Sequence, residues 1–443
     1  MIGKRTTRSV PVLFRSVLYA LRGGFLLRPF VIALVLGTVG AVLSSLEEKF
    51  PAIAAFVPDV LFPSRADPQI AQAILSDIAT SIMTVVSIVF AILLMTLTLA
   101  STQFSPRILV GFVRDRVTQW TLGVFLGTFS YCIAALPAAR SVPVPFVPVA
   151  TVTGAMLLVP ACVGWLIYFI HHISHAISVN HIVDRIRRET ELVIDELMPE
   201  RRRPSLIHAV VGSFPEALDF AVRSRASGYI RFVDIRRLRL LARTFRICVR
   251  LERRVGHFVP EGVTLFAVSH GERITAERTE ALLAAIDIGP VRTLQQDIEF
   301  GIVQIVDIGL KAISPAVNDP TTAISCVDQL SSLVIRWLGR APPASAFYDP
   351  PYVLRVVVPW IGFEGLLDLA FEQLRHYAES DAAVSLRLMR ALCDIASTVD
   401  DPDIRQVLHD RGARVIAGCT GKLHGEDLKR LHERLTLLAA HAA

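Results

Sequence analysis

Polar and apolar positions alternate in blocks along this chain, and the longest apolar block organises the rest. After Asp77 no charged side chain occurs until Arg107. A helix rises about 1.5 Å per residue and about 20 apolar residues cross a bilayer core, so this block predicts a membrane span. Thr80, Thr84, Ser87, Ala91, Thr98 and Thr102 recur on it at helical spacing and form one small, largely hydroxylated stripe. The other side is Ile, Val, Phe, Leu and Met. One face therefore meets lipid, and the other meets protein or water. Helix packing and a water-lined path are the two readings of the stripe.

Further apolar blocks predict spans at residues 30–46, 118–138 and 147–170. Asp67-Pro68 reads as a cap followed by Pro in the first turn, so the second helix is expected over 68–104, with Ser105-Pro106 ending it. Pro51, Pro58 and Pro63 forbid one continuous helix through 47–67. Gly123 and Gly127 form a GxxxG that admits a close helix neighbour. Ahead of the first span, Arg8, Arg15 and Arg22 lie seven apart, and 10–22 reads as a helix in the membrane interface. Basic residues cluster before span one, between spans two and three, and after span four. The positive-inside rule then puts both termini in the cytoplasm and 47–67 outside.

Beyond residue 170 the pattern shortens. Residues 181–197 predict a helix leading to the linker Arg201-Arg202-Arg203-Pro204. Strands are expected at 220–222, 229–233, 245–251 and 264–268, with Asp234 capping a helix over 235–243. The stretch RVGHFVPEGVTLFAV resembles the strand-turn-strand unit of biotinyl/lipoyl-type small barrels. Such carriers need a Lys at a tight turn, and none occurs between Lys49 and Lys311, which excludes a carrier role. Helices are expected at 277–287 and 291–313, the latter with Gln304, Asp307 and Lys311 on a wet face. Then comes a turn bearing Ser314, Asn318, Asp319, Thr321 and Thr322. Asp319 caps the next helix, which is expected to end near residue 337. This turn is either a structural stop-and-restart or an anion site at a helix start. A strand at 353–358 and four amphipathic helices over 362–442 complete the chain.

The expected fold class is membrane α-helical, with four spans, plus a cytoplasmic α+β region holding a small β-barrel-like unit and a helical C-terminal part. Its segments are 1–28, 29–170, 171–203, 204–272, 273–340 and 341–443.

Composition adds three constraints. Hydrophobic residues make up 52% of 443, which fits a membrane protein with a large soluble part. The net charge of +6 is met most simply by anionic lipid headgroups, and no nucleic-acid partner is expected. From 201 to 254 there are fourteen Arg, no Lys and four acids. The six Cys are scattered without a CxxC, so neither a disulfide frame nor a zinc site is signalled. No signal peptide is expected, because no small-residue cleavage site follows a short apolar core. His171 and His175 stand at metal-ligand spacing, but no carboxylate or Cys completes a set, and they read as interfacial polar residues.

Three passages carry a family resemblance: LASTQFSPRIL with TQWTLGVFLGTFSYC, RVGHFVPEG, and QDIEFGIVQIVDIGLKAISPAVNDPTTAISCVDQL. Together they resemble the bacterial predicted membrane proteins catalogued as domain of unknown function 2254. The resemblance implies a bacterial inner-membrane location and brings no activity, cofactor or catalytic residue. No nucleotide-binding, metalloprotease or dinucleotide motif appears, so no cofactor and no enzymatic role are expected. Two function classes stay open: a homo-oligomeric channel-like protein with a cytoplasmic regulatory region, and a membrane-anchored binding or scaffold protein. A membrane-surface enzyme ranks third.

Overall fold

The computed structural model describes residues 27–55, 57, 67–103, 115–142, 145–176, 178–200 and 217–442. The expected interfacial helix at 10–22, the arginines of the 104–114 loop and the linker at 201–204 lie outside the described residues. The chain forms two compact units, residues 1–178 and 179–443.

Among its described residues the first unit holds four helices long and apolar enough to cross a membrane. They are α1 (Leu27–Lys49), α2 (Pro68–Gln103), α3 (Arg116–Ala135, continued by one 3-10 turn) and α4 (Val149–Ala176). With 36 residues, α2 is about 54 Å long. α3 is the most buried of the four and touches the other three. Its sequence explains why. Small residues recur along α3 and α1, and they let the two backbones approach. A Cβ at Gly123 would stand 2.5 Å from Ile32, and one at Gly40 would stand 2.6 Å from the Tyr131 carbonyl oxygen. Leu122, Phe125, Cys162 and Phe169 fill the interior together with Ile82 and Val89 of α2.

Polar groups inside this unit tie helix to helix. The buried Glu47 carboxylate, at the end of α1, accepts from the Ala150 and Thr151 amides (2.7 and 3.1 Å) and from Thr151 Oγ1 (3.0 Å). It thereby caps α4 from another helix. Tyr131 donates to the Thr151 carbonyl at 3.0 Å, and Trp165 Nε1 donates to Thr121 Oγ1 at 2.9 Å.

The second unit opens with α5 (Val179–Leu197) and then builds two open sheets. Strands β1 (Leu218–Arg223), β2 (Gly228–Val233), β3 (Val249–Leu251), β4 (Phe258–Val259), β5 (Thr264–Ser269) and β6 (Ile286–Gly289) are joined by β7 (Ala346–Asp349) and β8 (Val353–Val357). One sheet has the order β1-β5-β3-β8-β7 and the other β4-β2-β6. Among the described strand pairings, β3–β8 alone is parallel. The β-barrel-like expectation is therefore corrected: no closed barrel forms among the described residues. Its strand-turn-strand stretch splits, because β4 pairs with β2 while β5 pairs with β1 and β3. The core between the sheets holds Ile230, Leu238, Leu265, Phe266 and Val356.

Helix α6 (Ile235–Phe245) follows β2, with Asp234 accepting from the Arg237 amide as its cap. It ends two residues later than expected and is closed by Arg246 with φ +53°, which shortens the expected strand at 245–251 to β3. α7 (Ala276–Leu283), by contrast, stops short of the expected 287, and Ile286–Gly289 pairs with β2 instead of extending the helix. The long helix expected from 291 begins only at the Asp297 cap, as α8 (Ile298–Ala312). Gln304 on it is buried, not on a wet face. α9 (Pro320–Leu338) turns back along α8, and α5 packs on both. Asp195 of α5 binds Arg336 of α9 and Arg340 just past its end. The four C-terminal helices are α10 (Phe363–Tyr377), α11 (Ala382–Ala396), α12 (Pro402–Cys419) and α13 (Gly425–Ala442).

Candidate functional site

The α2 stripe points away from its own bundle. Thr80, Thr84, Ser87, Ala91 and Thr98 are all exposed, while Leu75, Ala79, Ile82 and Val89 face inward. The side chain of Thr102 lies outside the described ones. Each hydroxyl bonds back to its own helix: Thr80 to the Ser76 carbonyl (2.9 Å), Thr84 to Thr80 (3.1 Å), Ser87 to Met83 (3.0 Å) and Thr98 to Leu94 (2.9 Å). Asp77 and Ala73 continue the same face. From 73 to 98 these positions fall in an arc of about 80°. Leu94 and Met95 interrupt it toward one end. Gly123 and Gly127 do not share this surface. They are buried against Ile32 and Leu36 of α1.

At the opposite end of α3, Asp115 caps the helix through the Thr118 amide (2.9 Å) and hydroxyl (2.8 Å). Its carboxylate also meets His172 Nε2 at 3.1 Å. His172 is thus a histidine that meets a carboxylate, and His171 beside it is exposed. The side chain of His175 lies outside the described ones. Among the described residues no three His, Cys, Asp or Glu side chains converge as a metal site.

In the second unit the turn after α8 is built from its own backbone. The Asn318 amide donates to the Ser314 carbonyl (2.9 Å) and the Asp319 amide to the Ala312 carbonyl (2.8 Å). Asn318 takes φ +48°, a conformation that Asn tolerates. Asp319 accepts from the Thr322 amide (3.1 Å) and hydroxyl (2.5 Å), and these bonds hold its carboxyl below the usual pKa. Thr321 is exposed beside it, and Ser314 donates to the Lys311 carbonyl.

A second constellation joins residues that the sequence left apart. Arg254 meets Glu299 at 2.9 Å, and Arg292 grips Asp297 through two bonds of 2.8 Å. Asp297 is buried and also accepts from the Phe300 amide (2.9 Å) as the α8 cap. Gly256 (φ +88°) lets the 254–257 turn lie against this pair, where a Cβ would reach within 2.6 Å of the Arg292 guanidinium. Burial, aided by Arg254 and Arg292, pushes the His257 imidazole below its ordinary pKa. Burial raises the Glu299 carboxyl against the pull of Arg254. Gln296 adds bonds to both backbone groups of Val233. The arrangement fastens the sheet to the start of α8, with both carboxylates already engaged. A cavity between α10, α11 and α12 measures about 20 Å³, room for a water rather than a metabolite.

The family model described as "Predicted membrane protein (DUF2254)" matches residues 22–394. The chain belongs to this family. Uncharacterised proteins of Mycobacterium bovis and of two Mycobacterium tuberculosis strains are each 32% identical to it over 409 residues. The aligned stretch covers 91% of this chain and 77% of each relative. No solved structure matches. The α2 stripe, the Arg254–Glu299 cluster and the Asp319 turn all lie inside the DUF2254 match, whereas α12 and α13 lie beyond it.

Proposed function

We propose that this DUF2254 protein is a homo-oligomeric, channel-like protein of the bacterial inner membrane. In this reading both termini are cytoplasmic, the second unit regulates the path, and no catalytic group is required. The observation that supports it is the direction of the α2 stripe. The interior of the four-helix unit is filled by Phe125, Phe169 and their neighbours, so a water path would have to run between copies. The hydroxylated face is outward, with the carboxylate of Asp77 on it. Small residues at alternating three- and four-residue steps suit a helix seam about a shared axis. One observation favours the alternative of a membrane-anchored binding module without a pore. The stripe's hydroxyls already bond to their own carbonyls, and a hydroxyl so satisfied faces lipid at little cost.

Thr84→Leu and Ser87→Leu separate the two. Lining water, they reduce ion or solute flux in proteoliposomes while the oligomer stays intact. A monomer in lipid with no flux from the wild type ends the channel reading and leaves the anchored module.

A further inference from the structure

The arginines of the second unit are not equivalent. Among the described residues, nearly all those between 217 and 300 are engaged. Arg231 pairs with Asp287, Arg239 with Asp349, Arg250 with Glu252, and Arg254 and Arg292 with the cluster described above. The others in this range donate to carbonyls or meet Glu272 or Glu280. The exceptions are Arg236, Arg237, Arg243 and Arg246, whose guanidinium groups have no acidic partner among the described residues. All four belong to α6 or the residue that ends it.

These four sit on one short helix with no acid of its own. Asp234 is spent as its cap, and the nearby Asp349 is taken by Arg239 and Arg355. Arg236, Leu240, Arg243 and Thr244 are spaced as one helical face, and all are exposed. Leu240 is 64% exposed between two arginines. The β7–β8 hairpin adjoins α6, because Arg239 donates to the Tyr348 carbonyl at 3.0 Å. The tip of that hairpin carries Tyr352, 90% exposed and at φ +100°, a backbone conformation that bulky residues rarely adopt. Tyr348 and Val353 are exposed beside it.

We propose that the outer face of α6, with the Tyr352 hairpin tip, docks on an anionic lipid surface. Uncompensated guanidinium groups on a short helix call for a counter-charge from outside the chain. The combination of arginines with an exposed Leu and Tyr selects a lipid interface over a purely ionic partner, since apolar and aromatic groups enter the headgroup boundary while Arg meets phosphate. The chain also carries its own membrane spans. A tethered second unit meets lipid at high effective concentration, so modest docking energy suffices. The proposal does not depend on whether α2 faces other copies.

Full-length protein with an environment-sensitive fluorophore on Thr244→Cys tests it. The protein is reconstituted into vesicles of phosphatidylcholine alone or mixed with phosphatidylglycerol. The expected result is a blue-shifted, brighter emission only in the mixed vesicles, reversed by high salt. Adding Arg236→Gln, Arg243→Gln and Arg246→Gln should lower the docked-to-free ratio on the order of a hundredfold, at about fivefold per arginine. These side chains have no acidic partner to lose, so the fold should persist, and unchanged thermal unfolding verifies that. Equal emission in both vesicle types means a contact with protein instead and overturns the proposal. So does a triple-Gln variant that keeps the anionic-lipid response.

Discussion

Replacing Gly40 by Ala adds one methyl group where α1 crosses α3. A Cβ there would stand 2.6 Å from the Tyr131 carbonyl oxygen and 3.1 Å from its Cα. Both are backbone atoms, which cannot rotate aside as the tips of Ile32 and Leu36 can at Gly123 and Gly127. Comfortable contact begins near 3.5 Å, so the helices must part by about 0.9 Å. Overpacking of this size costs about 1–3 kcal/mol, and Ala returns up to about 1 kcal/mol as the better helix former. The net loss is about 1–2 kcal/mol. The separation also strains the 3.0 Å bond from Tyr131 to the Thr151 carbonyl, which ties α3 to α4. Gly164 of α4 is the control, because nothing stands within 4 Å of its Cβ position. Thermal unfolding in detergent can be followed by maleimide labelling of the buried Cys132, read on its own peptide. Gly40→Ala should label several degrees earlier than the wild type, at about 2–4 °C per kcal/mol, and Gly164→Ala should not. If Gly40→Ala melts with or above the wild type, the close approach of α1 to α3 is not what holds this unit.

Asp319→Ala should destabilise the α8–α9 hairpin by about 1 kcal/mol through loss of a helix cap, seen as a lower unfolding temperature. Because the folded Asp319 pKa is depressed, its contribution is present above about pH 3.9 and is lost as pH falls through the folded value, so wild type and Asp319→Ala should converge in acid. Arg254→Ala strands the Glu299 carboxylate and should cost about 2 kcal/mol, less than for a fully buried pair because Arg254 is partly exposed. The Glu299 pKa is raised, so the group favours folding below about pH 4.3 and loses that contribution as pH rises through the folded value. Glu299→Gln should therefore be neutral or stabilising at pH 7 and should rescue much of the Arg254→Ala loss in a double-mutant cycle.

Long-period features were legible in the sequence, and pairings between distant residues were not. The start of α2 at Pro68, the cap at Asp234 and the cap at Asp319 all follow from one local rule, a short acceptor side chain before a helical run. The four spans follow from apolar length. By contrast, the helix expected to run to 287 gives way to a strand at Ile286–Gly289, because β2 offers an edge that only tertiary structure supplies. β8 matches the strand expected at 353–358, but β7 and the pairing that brings both from far along the chain to extend the larger sheet have no local signal. The hydroxyl stripe was visible as a pattern, but its direction required the structure. The Arg254–Glu299 pair spans 45 positions. Its members lie in two of the passages that carry the family resemblance, and that common membership was the one signal that could have joined them.

Those passages meet on α8. RVGHFVPEG supplies Arg254 and Gly256, which press on the start of the helix through Glu299, Asp297 and Arg292. The passage QDIEFG begins the helix itself, and the Asp319 turn closes its end by donating the Asp319 amide to the Ala312 carbonyl. Between these ends, Gly301 of α8 stands against Thr190 of α5 with no room for a methyl group. α5 is the helix the chain enters directly after α4. One 15-residue helix is thus clamped to the sheet at its start, to the α9 cap at its end, and to α5 on its side. Close-packed contacts of this kind do not yield gradually, so a displacement of the sheet must either carry α8 and α5 with it or break the half-buried Arg254–Glu299 ion pair. The second unit is built so that a force applied at its sheet reaches the helix that follows the spans.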